Sequence, residues 1–177
     1  MRFESTHKAP YARTEQIILF QASTQIFAIS SASVQEVRSV DNLAGAAVDL
    51  SAASVPKVRH LVRRNEGNHF VVNAALHFGL PPSPAALIFL LRRTRVALLV
   101  DGIEKMTTMI RLQALSSAFC HEERRWYRGL TVLEQNVIPV VNPEGFLTEE
   151  EIFQLDVAAS AVHSRTAPVE AGVDISL

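Results

Sequence analysis

The histidines and the single cysteine are the residues whose types could carry chemistry in this chain of 177 residues. His60, His69 and His77 fall in one stretch, but their spacing differs from the H-E-x-x-H pattern that places two metal ligands on one helix face. No cysteines or carboxylates cluster beside them, which argues against a metal site. Cys120 and His121 are adjacent, so their side chains do not face each other on a regular element, and an ordinary thiol is favoured over a nucleophile.

Asp101 and three arginines are the polar residues that border the most apolar part of the chain. Asp101 follows an apolar run and precedes Gly102, where a carboxylate commonly accepts hydrogen bonds from the amides of a turn. Arg92, Arg93 and Arg95 form a basic turn, which is more typical of a solvated hairpin tip than of an anion site. The seven glycines are scattered and form no phosphate-binding loop. We therefore expect neither a catalytic site nor a bound cofactor or metal.

Composition favours a globular protein without a membrane-spanning segment. The hydrophobic content of 48% supports a packed core, and the net charge of −1 argues against nucleic acid as the main partner. One cysteine excludes an internal disulfide. The amino terminus carries no apolar signal segment, and the longest apolar run, Ala85–Leu91, is too short to cross a bilayer. These features predict a cytoplasmic protein that does not insert directly into a membrane.

The elements that must position these residues are organised by an internal repeat. Ala86–Met106 contains two apolar runs joined by the basic turn, which predicts two strands. The earlier segment Ile17–Val37 aligns with it without a gap, and we call the shift that relates the two segments the repeat offset. The triplet Val71–Asn73 recurs as Val140–Asn142 at this same offset. Two matches at one offset indicate a duplication, so we expect two similar β units.

The rest of the chain is predicted to add short strands, a few helical turns and one longer helix. Thr148 and Glu151 form a capping box before an apolar stripe, which predicts a helix over 148–162. Further strands are expected at 16–22, 25–30, 58–62, 69–72, 126–133 and 137–141, and helical turns at 31–37, 74–78 and 113–123. We expect a mobile loop at 41–56, a proline-rich linker at 79–85 and flexible termini at 1–15 and 163–177.

From about Gln16 to Val162 the chain resembles the CheW family of chemotaxis adaptor proteins. The nearest match is Arg95–Ile103, RVALLVDGI, which is similar to the family's RVGLLVDEV. Weaker matches are VQEVR at 34–38, VVN with the segment to Leu80, Tyr127-Arg128-Gly129, and the strand and helix of 141–160. The resemblance implies a mainly β domain over 16–162, built from two intertwined, pseudo-symmetric, SH3-like five-stranded β-barrels with short helices and a C-terminal helix.

The resemblance also implies a role and a set of contact residues. The implied role is a non-catalytic scaffold of a two-component system, which couples the cytoplasmic tips of chemoreceptors to the regulatory domain of a CheA-type histidine kinase. The implied partner-binding residues are Val34, Glu36, Arg64, Glu66 and Gly67. For Val34, packing in the interior is an equally good interpretation. The family's Asn-Leu-Arg-Gly motif is altered so that Glu66 precedes Gly67 where the family has arginine, and this change of charge should disfavour a receptor that is built for arginine.

Two alternative functions remain open at this stage. A domain of this fold could bind a kinase or its own copies without docking to a receptor. A small-molecule binder or hydrolase could instead use the groove between the barrels, with Asp101, His69 and Arg64 as its polar groups. The first alternative predicts binding to the kinase alone, and the second predicts that Asp101 is exposed in the groove.

Overall fold

The computed structural model describes residues 14–43, 47–50, 53–64 and 67–166, and this part of the chain is mainly β. The strands are β1 (Glu15–Ala22), β2 (Gln25–Ser30), β3 (Val34–Ser39), β4 (Ala47–Asp49), β5 (Val58–Arg64), β6 (Gly67–Asn73), β7 (Leu87–Leu91), β8 (Val96–Val100), β9 (Gly102–Met109), β10 (Tyr127–Leu133) and β11 (Asn136–Val141). The α-helices are α1 (Ala74–His77), α2 (Glu123–Trp126) and α3 (Glu149–Thr166), and 3-10 turns lie at Ser31–Ser33, Val40–Leu43 and Pro143–Gly145.

The strands form two sheets that exchange elements between the two halves of the chain. The five-stranded sheet has the order β10-β11-β2-β1-β9, and the six-stranded sheet has the order β3-β7-β8-β6-β5-β4. Strands β1 and β2 therefore lie in a sheet with the last three strands of the second half, while β7 and β8 lie with strands of the first half. This arrangement confirms the predicted mainly β fold of two sheets, with a sixth strand, β4, added to one of them.

The sequence repeat matches the order of the elements. Strands β5 and β10 have the same bounds at the repeat offset, and α1 is matched by the 3-10 turn Pro143–Gly145. A β-bulge lies between Val58 and His60 in β5, and its equivalent lies between Tyr127 and Gly129 in β10. Both sheets also contain one parallel pairing, which joins β6 to β8 and β11 to β2. The two halves are thus built alike in pairing as well as in sequence.

Strands β1 and β7 are not related by the repeat offset, although β2 and β8 are. Ala28 and Ala97 are related by the repeat offset and occupy equivalent parallel pairings, with Val140 and Val71 respectively. Their antiparallel partners, Leu19 and Leu90, are related by a longer offset. The difference arises because a two-residue turn joins β1 to β2, whereas four residues separate β7 from β8. A shift of two residues preserves the face on which each side chain lies, so the alternating pattern remains in phase.

The strands of the β1–β2 and β7–β8 hairpins carry buried side chains on both faces. Alternate side chains of one strand point to opposite faces of a sheet, and here both faces meet apolar side chains. The five-stranded sheet encloses a small core of Ile17, Leu19, Ala28, Met109, Ile138 and Val140, and the six-stranded sheet encloses Val62, Val71, Ile88, Leu90 and Ala97. The main core lies between the sheets and includes Phe20, Phe27, Phe70, Phe89, Leu98 and Phe146.

Helix α3 is held against the sheets at its start and near its middle. The amide of Thr148 donates to Glu151 Oε2 at 2.8 Å, and the amide of Glu151 donates to Thr148 Oγ1 at 3.1 Å, which is the predicted capping box. Arg95 donates two hydrogen bonds to the carboxylate of Asp156, and its guanidinium lies 4.8 Å from the ring centroid of Phe70. The helix continues to Thr166, beyond its predicted end at Val162.

Three predicted segments differ from the structure. The helical turn predicted for 31–37 ends at Ser33, because the backbone from Val34 onward pairs with β7. The helix predicted for 113–123 is wrong: Gln113 instead pairs with Leu130 across the end of the five-stranded sheet. The loop predicted for 41–56 includes β4, and Leu50 and Val55 within it are 1% and 3% exposed. Residues 1–13 and 167–177, which cover most of the predicted flexible termini, lie outside the described residues.

Candidate protein-binding groove

A groove of about 590 Å³ runs between one end of the six-stranded sheet and the segments that flank β10 and β11. Both sides contribute apolar residues to the floor of the groove. Leu91 and Val96 belong to the six-stranded sheet, and Leu147 and Ile152 follow β11. The β6 residues Gly67, Asn68 and His69 and the β3 residue Gln35 also line the groove. The remaining lining residues are Pro143 and the polar residues Arg93, Thr94, Arg95, Arg125, Glu144 and Glu149. An apolar floor with a rim of mixed charge suits a protein segment better than a small charged metabolite.

Gly67 and Arg64 lie together where the β5–β6 hairpin meets the groove. The two residues are paired across the hairpin. Gly67 is exposed and has a φ of +123°, a conformation that a residue with a Cβ rarely adopts. Arg64 is placed here by its backbone only, and Glu66 lies outside the described residues. The resemblance therefore pointed to a hairpin end that does border the groove.

Val34 and Glu36 lie on β3, on either side of the groove residue Gln35. Val34 is 8% exposed and packs in the main core, which leaves little of its surface for a partner and favours the packing interpretation. The Glu36 carboxylate accepts a hydrogen bond from Arg38 Nε at 2.5 Å, and both side chains are about one-third exposed. This contact raises the pKa of Arg38. Their role in binding stays a prediction.

The arginines on the rim of the groove differ in whether another side chain is bonded to them. Arg95 is held by Asp156, and this pairing lowers the pKa of the Asp156 carboxyl. Within the described part of the chain, no hydrogen bond or ion pair engages the side chains of Arg93 and Arg125. Arg93 is exposed at the tip of the β7–β8 turn, with a φ of +60°. Arg93 and Arg125 are thus available to an incoming partner.

Two buried polar atoms on the groove wall lack hydrogen-bond partners among the described residues. They are Nδ1 of His69, which is 7% exposed, and Oγ1 of Thr94. A buried polar atom without a partner has an energetic cost that a ligand group can relieve. The residues that carry these atoms line the groove, so a segment that binds there would lie close to them.

Asp101 has a structural role at the opposite end of β8. Its Oδ2 accepts from the amide of Ser23 at 2.7 Å, and its Oδ1 accepts from Ser83 Oγ at 2.7 Å. Local amides of the same turn were expected as donors, but the amide donor is distant in sequence because β8 ends beside the β1–β2 turn. His69 lies near the start of β8, where Phe70 pairs with Val96. The structure therefore does not bring Asp101 and His69 together as the hydrolase alternative requires.

The three histidines of the first half occupy unrelated surroundings. His60 is exposed on β5, while His77 is 5% exposed among the rings of Phe78, Trp126 and Phe146, at centroid distances of 4.8–4.9 Å. Burial, together with the charge of Lys57, lowers the pKa of His77 to about 3. No group of three potential metal ligands occurs within residues 14–43, 47–50, 53–64 and 67–166.

The side of the groove that flanks β10 and β11 was not predicted from the sequence. Arg125 lies in α2 before β10, whereas Glu144 and Leu147 follow β11, and these two segments carry no common motif. A partial signal was present in the repeat, since Leu147 is the equivalent of Phe78 and both pack against the main core. The rest of this wall follows from tertiary packing alone.

Two sheets with exchanged strands and a groove beside them agree with the two-barrel fold that the resemblance implied. The sequence profile of the CheW-like domain family matches residues 16–151, and the chain belongs to that family. In fold the chain is similar to the scaffolding protein TtCheW from Thermoanaerobacter tengcongensis, with a TM-score of 0.61 and 11% identity over 75% of this chain and 91% of that chain. None of the curated proteins compared with the chain matches it. Among the described helices, none is long and apolar enough to cross a membrane.

Proposed function

We propose that the protein is a non-catalytic adaptor of a bacterial chemosensory system, which couples chemoreceptors to a CheA-type histidine kinase in the cytoplasm. The match of the CheW-like domain over residues 16–151 carries this proposal. The groove adds support, because its apolar floor and its two unengaged arginines suit a protein segment. Asp101, the carboxylate considered for catalysis, accepts a hydrogen bond at each oxygen, from Ser23 and from Ser83, and so joins the end of β8 to the β1–β2 turn and the linker.

An adaptor must offer separate surfaces to different partners, and the edges of the sheets provide two related ones. Strand β3 is one of the two edge strands of the six-stranded sheet, and β9 is one of the two edge strands of the five-stranded sheet. Val37 and Met106 are equivalent residues of these edges in the sequence repeat, and they are 39% and 63% exposed. Exposed apolar side chains on an edge strand are places where another chain can pair or pack. We assign these edges to kinase domains of the same fold and the groove to the receptor.

Binding at such small surfaces need not be strong. A transient interface of this kind buries about 800 Å² or less on each partner. When receptors and kinases are held in an array, the local concentration is high and several weak contacts act together. The adaptor can then assemble the complex while each single contact still exchanges.

Co-sedimentation with the receptor and the CheA-type kinase of the same genome tests the proposal. We expect the chain to sediment with receptor-containing membranes and to increase the amount of kinase that sediments. Met106→Lys should reduce recruitment of the kinase, because it replaces an exposed apolar side chain of β9 by a charged one. Val157→Lys is the matched control, since Val157 is 57% exposed and lies on α3 rather than on either edge strand.

The second candidate function, a domain that binds a kinase or its own copies only, is favoured by one observation. Glu66 stands where the family has the arginine that faces the receptor. Binding to the kinase without binding to receptor-containing membranes would support this candidate and would contradict the receptor part of the proposal.

A further inference from the structure

A second cavity, of about 200 Å³, lies at the mouth of the six-stranded sheet on the side of the proline-rich linker. Its apolar surface is formed by Val71, Leu76, Pro82 and Leu99, and its polar lining is Lys57, Arg59, His60 and Asn73. No carboxylate of the described residues lines it. The Lys57 ammonium is already paired with Glu151 at 2.8 Å, which leaves Arg59 as the guanidinium at the rim.

The β-bulge in β5 places Arg59 at this mouth. Arg59 is the extra residue between Val58 and His60, which pair with Val72 and Val71. A bulge re-aims a side chain out of the regular alternation, so Arg59 and His60 both reach the same cavity although they are consecutive. Among the described residues, no carboxylate and no other side chain bonds to the guanidinium of Arg59.

The other half of the chain contains the equivalent arginine in a bonded form. Arg128 is related to Arg59 by the repeat offset and lies at the same position of the equivalent bulge in β10. Its two terminal nitrogens donate to the carboxylate of Glu15 at 2.9 and 3.1 Å, a bidentate pairing. This contact is the largest of the effects that lower the pKa of Glu15. With the longer offset that relates β1 to β7, the residue equivalent to Glu15 is Ala86, which supplies no carboxylate.

The residues near Arg59 also differ in their contacts from the equivalent residues near Arg128. The side-chain amide of Asn142 donates to the carbonyl of Arg125 at 3.0 Å. The side chain of the equivalent Asn73 accepts from the amide of Leu76, and among the described residues its NH2 group donates to no partner. Gly129, which is equivalent to His60, is pressed against Gln113 and Leu112, so that a Cβ there would overlap the Gln113 carbonyl oxygen. In the five-stranded sheet Arg128 is therefore engaged by Glu15, beside a cavity of about 400 Å³ that Arg128 and Asn142 also line. In the six-stranded sheet Arg59 lines its cavity without a bonded carboxylate among the described residues.

We propose that the mouth of the six-stranded sheet binds a small organic acid that carries one carboxylate on a short aliphatic stem. Arg59 holds the carboxylate as Arg128 holds that of Glu15, and Asn73 supplies a further donor. Leu76 and Leu99 pack against the stem. A volume of about 200 Å³ equals roughly six or seven water molecules, which suits an acid with a stem of two or three carbons.

Titration of the whole chain with sodium butyrate, followed by methyl NMR at constant ionic strength, tests this inference. We expect saturable shifts of the Val71, Leu76 and Leu99 methyl signals. Butyramide has the same stem without the charge and should cause no saturable shift. Arg59→Gln should weaken butyrate binding about tenfold or more, which is the usual effect of losing a hydrogen bond to a charged group.

Arg111→Gln is the matched control, because Arg111 is also exposed but does not line the cavity. This variant should bind butyrate as the unchanged chain does. The inference is overturned if butyrate causes no saturable shift at these methyl groups, if butyramide binds equally well, or if Arg59→Gln and Arg111→Gln behave alike. Binding of butyrate is independent of the receptor and the kinase, so its failure would leave the adaptor proposal untouched.

Discussion

His77 and Phe146 are equivalent residues of the two repeats, and their rings lie against each other with centroids 4.9 Å apart. Two residues that are related by a two-fold rotation can touch only near the rotation axis. This contact therefore marks the centre of the pseudo-symmetric molecule, where α1 and the 3-10 turn Pro143–Gly145 meet. The residue types differ at this point, histidine against phenylalanine, so a titratable group lies at the centre.

Replacing His77 by phenylalanine should remove part of the acid sensitivity of the fold. The pKa of His77 is about 3 in the folded chain and 6.5 when unperturbed, so below about pH 6.5 the unfolded chain binds a proton that the folded chain does not. In the unchanged chain, His77 should therefore lower the free energy of unfolding by up to about 1.4 kcal/mol per pH unit as the pH drops from 6 toward 4. The His77→Phe variant should lack this contribution. Urea unfolding at several pH values measures this slope.

His60→Phe is the control for that prediction, because His60 is exposed. It should keep the slope of the unchanged chain, while His77→Phe should flatten it. Equal slopes for His77→Phe and the unchanged chain between pH 6 and 5 would mean that His77 is not buried in its neutral form.

Gly145→Ala should destabilise the chain through backbone overlap. A Cβ at Gly145 would collide with the carbonyl group of Arg125 at the contact between α2 and the Pro143–Gly145 turn. Such overpacking costs about 1–3 kcal/mol. Gly102→Ala is the matched control, because a Cβ there meets no atom within 4 Å. Thermal unfolding should give a lower midpoint for Gly145→Ala only, and equal midpoints would refute the close approach of these two segments.

Leu98→Ala should cost about 2–5 kcal/mol of stability, as expected for a core truncation. Leu98 is fully buried in the main core and pairs with Phe89 across β7 and β8. Val137→Ala removes methyl groups from a residue that is 62% exposed and should change stability by no more than about 0.5 kcal/mol. An unchanged midpoint for Leu98→Ala in chemical unfolding would place this residue outside the interior.

Glu66→Arg should strengthen binding to a receptor. The residue lies outside the described part of the chain, but its neighbour Gly67 lines the groove, and the change restores the charge that the resemblance associates with receptor contact. Glu122→Arg, which alters an exposed acid outside the groove, controls for the general effect of added positive charge. If both variants bind receptor-containing membranes as the unchanged chain does, the β5–β6 hairpin end does not face the receptor.

The sequence predicted most strands because their apolar runs are periodic and repeated. Ile17–Val37 and Ala86–Met106 hold strands in the same order, as the match of their letters indicated. The exchange of strands between halves did not follow from the pattern, since β1 pairs with β9 across about half of the chain. Nothing local in either strand selects that partner. The pairing is decided by which apolar faces can be buried together.

The segments whose secondary structure was predicted wrongly have sequences that favour no single secondary structure strongly. The segment 113–123 contains small and polar residues that permit a helix. In the structure, however, the backbone of Gln113 pairs with Leu130, and the Arg111 carbonyl accepts a hydrogen bond from Thr131 Oγ1. Tertiary hydrogen bonds outweigh a small helix propensity. At the site, Gly67 could be predicted because its motif is local. Arg93, Arg125 and Leu147 could not be grouped, because they come together only when the halves are assembled.

Reconstitution of kinase activity measures the central claim most directly. The CheA-type kinase of the same genome is incubated with receptor-containing membranes and ATP, with and without the chain, and kinase autophosphorylation is followed. The adaptor account predicts that receptors change kinase activity only when the chain is present, and that Met106→Lys weakens this effect while Val157→Lys does not. Receptor control of the kinase that is the same with and without the chain would contradict the account.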